Sequence, residues 1–206
     1  PTPSLELKPE ITAHGGDILS SIPGGDYDRM SGTSMATPNM SGIIVLIRQY
    51  VKNNYPSLTA PEIQNMTYAL LMSTATIALN EEGNPATPRK QGAGLASMNN
   101  VVKTGAYITV ADKDKPKLEL GDDALRTGKY EMEFTINNIS TINKQTSRTI
   151  DYKINLDALT ETVSSSNKNF VAEKTHMLTS EGCYEVYVNG NKISNNIVSV
   201  AAGQSV

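Results

Sequence analysis

The sequence contains no tryptophan, one cysteine and two histidines in 206 residues. Each shortage closes off a class of protein. A lone Cys183 forms no internal disulfide, so packing rather than crosslinking has to hold the fold. The lack of a cysteine pair and of tryptophan argues against a true immunoglobulin domain. No cysteine–histidine cluster and no glycine-rich phosphate loop is present. The acidic groups Asp112-Lys113-Asp114 and Asp122-Asp123 match no standard calcium loop in spacing or ligand count, and read as solvated turns. No metal and no cofactor is therefore expected. The formal net charge is only -3, and its signs are mixed along the chain, so there is no basic stripe for nucleic acid. The longest aliphatic run, Ile43 to Ile47, is far too short to cross a membrane, so no insertion is expected within this segment. No secretion leader is visible and the chain opens on Pro1, which reads as an excised piece of a longer protein.

What the chain does have is the stretch Gly32-Thr33-Ser34-Met35-Ala36-Thr37-Pro38, followed by the apolar Gly42-Ile43-Ile44-Val45-Leu46-Ile47. Physically this is a turn that delivers Ser34 to the start of a helix running from about Ser34 to Val51. The first half of that helix is apolar nearly all round, which predicts burial. A helix start presents unpaired N–H groups and the positive end of the helix dipole. A nucleophilic hydroxyl is well placed there, because the oxyanion formed on attack needs donors close by. The bland alternative is that Ser34 is merely the helix cap.

The longer pattern favours the nucleophile. Gly32, Thr33, Ser34, Met35, Ala36 and Pro38 match the G-T-S-M-A-x-P motif, and the segment resembles the subtilisin-like serine proteases (subtilases, peptidase family S8). It differs from the G-x-S-x-G elbow, because Ala36 stands where the second glycine would be. A second block supports the resemblance: Leu7-Lys8-Pro9-Glu10-Ile11-Thr12-Ala13-His14-Gly15 is similar to the family's L-K-P-[DE]-I-x-A-P-G run, with His14 in place of the usual proline. His14 occupies a turn position, whereas the family's catalytic histidine lies far upstream of the serine, so His14 is rejected as the base. Asn39 replaces a common but non-catalytic histidine. Gln91-Gly92-Ala93-Gly94-Leu95 resembles the G-x-G turn that closes subtilase catalytic domains.

Elsewhere the reading is local. Three prolines keep residues 1–13 out of helix. Pro23-Gly24-Gly25-Asp26-Tyr27-Asp28 reads as a turn cluster. Thr59-Ala60-Pro61-Glu62 reads as a capping box, with Ile63, Met66 and Leu70 on one helical face. Residues 80–90 read as a polar loop, and a short helix follows from about Ala96 to Lys103. From Ala106 the period changes to two. Tyr130, Met132, Phe134 and Ile136 are predicted to share one strand face, as are Ile150, Tyr152, Ile154 and Leu156. Asn189-Gly190 is set for a type I′ hairpin turn between Tyr184–Val188 and Asn191–Ile193. This part resembles the fibronectin-type-III-like domain of cell-envelope subtilases such as lactocepins.

The expected fold is thus α/β, the C-terminal part of a subtilisin-like peptidase domain over residues 1–105, followed by an all-β fibronectin-III-like sandwich over residues 106–206. The resemblance implies a secreted or cell-envelope serine endopeptidase acting on proteins or peptides. In it Ser34 is the nucleophile, and Thr33 and Met35 contact substrate. The catalytic aspartate and histidine and the side-chain oxyanion donor are expected in the remainder of the parent catalytic domain, so the chain alone is expected to be inactive. An extracellular or cell-surface location follows from the same resemblance. Two other readings stay open, a pseudoprotease fragment and a non-catalytic surface-binding or spacer module.

Overall fold

The structure is a computed structural model, and it describes residues 7–121, 123–140, 148–166, 169–178 and 183–206. The opening residues 1–6 and Asp122 of the acidic pair lie outside the described residues. The architecture mixes helices with small antiparallel sheets.

Strands β1 (Ile18–Ile22) and β2 (Asp26–Met30) form a hairpin in which Ile18 faces Met30 and Ile22 faces Asp26. The predicted turn cluster is shorter than expected. Gly24 and Gly25, at φ 100° and 83°, reverse the chain between them, and Asp26-Tyr27-Asp28 belongs to β2.

Helix α1 spans Thr33–Asn54, a turn longer than expected at its C-terminus. The Tyr55 N–H closes it on the Val51 carbonyl at 2.8 Å, and the Asn54 amide donates to the Tyr50 carbonyl. The expectation of burial all round is wrong. Met40, Ile43, Ile44, Ile47, Tyr50 and Val51 form one stripe facing the core, with Ile47 and Val51 fully buried. Val45 and Leu46 lie off that stripe and remain 64% and 49% exposed. The reason is that α1 packs against α2 (Ala60–Ser73) and α4 (Met98–Lys103), both on its stripe side.

The start of α2 is as read. The Glu62 carboxylate accepts from the Thr59 N–H at 2.7 Å and from the Thr59 hydroxyl at 2.6 Å. Met66 and Leu70 are buried, and Ile63 packs beside them. Within the polar loop, Pro88–Gln91 makes the single turn α3, started by Thr87. The Asn80 side chain organises the preceding bend by accepting from the N–H groups of Glu82 and Asn84. Helix α4 begins at Met98 rather than Ala96, because Ser97 caps it by accepting from the Asn100 N–H at 3.3 Å.

The Gly92–Leu95 run threads between two extended segments. Ala93 N–H donates to Glu10, Thr12 N–H to Gly94 and Ala96 N–H to Thr12, while Leu95 exchanges both backbone bonds with Thr76. A Cβ on Gly92 would sit 2.2 Å from the Glu10 carbonyl carbon, and one on Gly94 2.5 Å from the Thr76 oxygen. Only glycine permits approach this close, which explains the G-x-G spacing. Alongside, Glu10 meets Lys8, Lys115 (3.4 Å) and Lys117 (4.0 Å). Lys117 also donates to the Leu7 carbonyl at 3.1 Å and pairs with Glu119, which accepts from the Leu7 N–H. Together these contacts clamp residues 7–10 to residues 115–119.

The remaining strands pair antiparallel in twos among the described residues: β3 (Ala106–Thr109) with β4 (Thr135–Asn138), β5 (Ile150–Lys153) with β10 (Ile197–Val200), β6 (Leu159–Ser166) with β7 (Asn169–Met177), and β8 (Val186–Val188) with β9 (Asn191–Ile193). Asn189 and Gly190 take φ 48° and 79°, both positive as a type I′ turn requires. Ile150, Tyr152, Ile154 and Leu156 do alternate with exposed neighbours. The strand expected through Tyr130, Met132 and Phe134 does not form. Those three side chains are exposed, and only Ile136 of the four is buried. The ladder stops at Thr109 facing Thr135 because β3 supplies no partner further back.

Two apolar clusters result. Ile47, Val51, Met66, Leu70, Leu71, Val101 and Ile139 form the helical one. Ile136, Val198 and Val200 form the strand one, joined by Tyr152, Ile154 and Val188. The buried Asn138 amide donates to Val200 at 2.8 Å and to Arg148 at 3.1 Å, stitching β4 to β10.

Candidate active site

Ser34 is the second residue of α1 and is exposed. The cap position belongs to Gly32, at φ 156° and ψ 171°, a backbone region essentially reserved for glycine. No side chain caps the helix, so the bland reading of Ser34 as a cap fails. The Gly32 carbonyl takes the first helical bonds, from Met35 N–H at 3.1 Å and Ala36 N–H at 3.2 Å. Among the described residues, neither the Ser34 N–H nor its hydroxyl has a hydrogen-bond partner. Pro38 lacks the N–H that would otherwise bond the Ser34 carbonyl four residues back.

The electrostatics differ between the two long helices. At α2 the Glu62 carboxylate closes the N-terminus, whereas α1 has no acidic residue in its first turn. The partial positive charge beside Ser34 is therefore not offset by a carboxylate of its own first turn. Thr33 and Ser34 are both exposed on this turn. Thr33 contributes its carbonyl to the Thr37 hydroxyl at 2.9 Å, and the Met35 side chain lies half-buried beside the Gly32 bend.

The block around His14 straps the outside of the turn. Gly32 N–H donates to the Gly15 carbonyl at 2.8 Å, Asp17 N–H to the Ser31 hydroxyl at 2.8 Å, and the Asn39 amide to the His14 carbonyl at 3.4 Å. Arg29 pairs with Asp17 at 2.8 Å on the surface. The His14 ring is exposed and makes no hydrogen bond among the described residues. The sequence motif marks Gly15 and passes over Gly16, and it shows Asn39 only as a replaced histidine. The motif position of Gly15 is a signal for a close approach, and it carries no hint of what Gly15 approaches.

Among the described residues no group of three or more histidine, cysteine, aspartate or glutamate side chains is placed to hold a metal. Asp123 is engaged in its own turn. Donation from the Gly128 and Thr127 N–H groups holds its carboxyl below the usual range. No described helix is long and apolar enough to cross a membrane.

Residues 1–94 match the family model described as Subtilase family. The C5a peptidase of Streptococcus pyogenes is 36% identical over 136 residues, 65% of this chain and 11% of that protein. The PII-type proteinase of Lacticaseibacillus paracasei is 31% identical over 147 residues, 66% of this chain and 8% of that protein. Among solved structures, the CspB protease of Clostridium perfringens is 30% identical with a TM-score of 0.37, covering 49% of this chain and 20% of that one. The chain spans about a tenth of the length of the curated relatives it matches.

Proposed function

We propose that this chain is the nucleophile-bearing segment of a subtilisin-like serine endopeptidase. In this reading Ser34 attacks, Thr33 and Met35 line the scissile bond, residues 1–105 complete the catalytic domain, and residues 106–206 form a fibronectin-III-like β-sandwich. The parent acts outside the cell or at its surface, on protein or peptide substrates. The observation that carries the reading is the placement of Ser34, exposed on an uncapped first turn with its N–H outside the helical ladder.

The chemistry follows from that placement. The Ser34 oxygen adds to the carbonyl carbon as its proton passes to a base, and the carbonyl oxygen becomes an oxyanion facing the Ser34 N–H. Collapse breaks the C–N bond, the base returns its proton to the leaving amine, and an acyl-enzyme remains. Water then adds by the same path and releases the acid. The base, its orienting aspartate and a second oxyanion donor belong to the rest of the parent. That remainder would also cover Val45 and Leu46 on the open face of α1.

A fluorophosphonate probe read by intact mass tests the proposal. The parent should take up one equivalent on Ser34 and hydrolyse peptides, and Ser34→Ala should lose both. The 206-residue chain alone should remain unlabelled. Peptidase activity that survives Ser34→Ala removes the nucleophile reading. Labelling of the isolated chain that disappears on His14→Ala would make His14 the base.

A further inference from the structure

We infer that Gly15 is a positioning residue for the Ser34 hydroxyl, an inference that rests on the nucleophile reading above. Gly15 and Gly16 are adjacent and chemically identical, yet their surroundings differ. A Cβ on Gly16 meets nothing within 4 Å. A Cβ on Gly15 would lie 2.7 Å from the Gly32 oxygen, 2.8 Å from the Ala36 Cβ and 3.0 Å from the Ala36 nitrogen.

These are the atoms that open α1. The Gly32 oxygen accepts from Met35 and Ala36, and Ser34 is held between that acceptor and those donors. Gly15 also anchors the turn from outside, because its carbonyl receives the Gly32 N–H at 2.8 Å. The missing side chain at Gly15 and the small one at Ala36 thus let the strap lie flat on the first turn. A methyl group at Gly15 must push the Gly32 carbonyl or the Ala36 backbone aside, and Ser34 moves with them. Substrate is expected still to bind, because Gly15 meets Gly32 and Ala36 and leaves Ser34 exposed. The attack geometry would suffer, and a displacement of about 1 Å is enough to cost on the order of a hundredfold in rate.

The test is made in the intact parent enzyme, with active sites counted by burst titration. Gly15→Ala is expected to lower kcat per titrated site by about tenfold or more, with KM within about threefold of wild type. Gly16→Ala should leave both unchanged. A role in folding alone would reduce the number of titratable sites while sparing kcat at each, and that result overturns the inference. Should Gly15→Ala yield no folded enzyme, Ser31→Ala decides, since it removes only the tie to the Asp17 N–H. A fall of about threefold or more in kcat per site sustains the inference, and an unchanged value overturns it. Activity that persists in Ser34→Ala removes the nucleophile reading and this inference with it. Ser34-dependent activity indifferent to Gly15→Ala removes this inference alone.

Discussion

The Gln91 side chain pairs with the backbone of Ala78 as a neighbouring strand would. Its Oε1 accepts from the Ala78 N–H at 2.7 Å and its Nε2 donates to the Ala78 carbonyl at 3.1 Å. The same Nε2 reaches the Ala86 carbonyl at 2.6 Å. One buried amide thereby holds the loop that precedes the Gly92–Leu95 crossing.

Gln91→Ala should therefore destabilise the chain by about 2–4 kcal/mol, because it strands backbone groups that are costly to leave unpaired. Urea unfolding measures this directly. A loss below about 0.5 kcal/mol would mean that water replaces the amide at little cost.

The capping carboxylate of α2 makes a pH prediction. The Thr59 hydroxyl first, and then its N–H, hold the Glu62 carboxyl below the usual range. A folded value below the unfolded one, about 4.3, gives a stabilisation that is complete above the unfolded value. It is lost as pH falls through the folded value. Glu62→Gln should melt below wild type at pH 7, and the two curves should converge as pH drops under about 4. A gap that persists undiminished at pH 3 would show that the charge is not what matters.

The exposed face of α1 separates the chain from its proposed parent. In the isolated chain Leu46→Lys should change stability by less than about 0.5 kcal/mol, because Leu46 already faces water. In the parent the same change should cost about 2 kcal/mol or more, because it would place a charge where apolar surface is covered. Equal melting shifts in the two proteins would refute the covered face.

Several features were legible because they are local. The Gly32 bend and the start of α1, the Glu62 reach to Thr59, the Asn189-Gly190 turn and the alternation from Ile150 to Leu156 each need only a few adjacent residues. What escaped depends on partners distant in sequence. Period two at Tyr130–Phe134 signals a strand that wants a neighbour, but β3 is too short to supply one. An aliphatic run says that a helix will be covered, whereas the positions of α2 and α4 decide that Ile47 is covered and Val45 is not. The motif marks Gly15 without saying what it touches, which is settled only where Ala36 arrives beside it. At Ser34 itself, the motif carried the placement on the turn, while the strap that backs it became visible only in three dimensions.

The clamp between Glu10 and Lys115 ties together positions 105 residues apart, and it has a mechanical consequence. Tension from the later strands reaches β3 directly, because β4 pairs with it from Thr135 to Asn138, so the clamp is loaded by a pull on the chain between Glu119 and Thr135. Residues 7–10 run on through Thr12 to the His14–Asp17 segment, so a pull on that stretch is passed toward the Gly32 turn. Partly exposed ion pairs of this kind are worth under about 1 kcal/mol each. The joint therefore slips under modest force and spares the helical cluster, much as a shear pin protects a drive shaft.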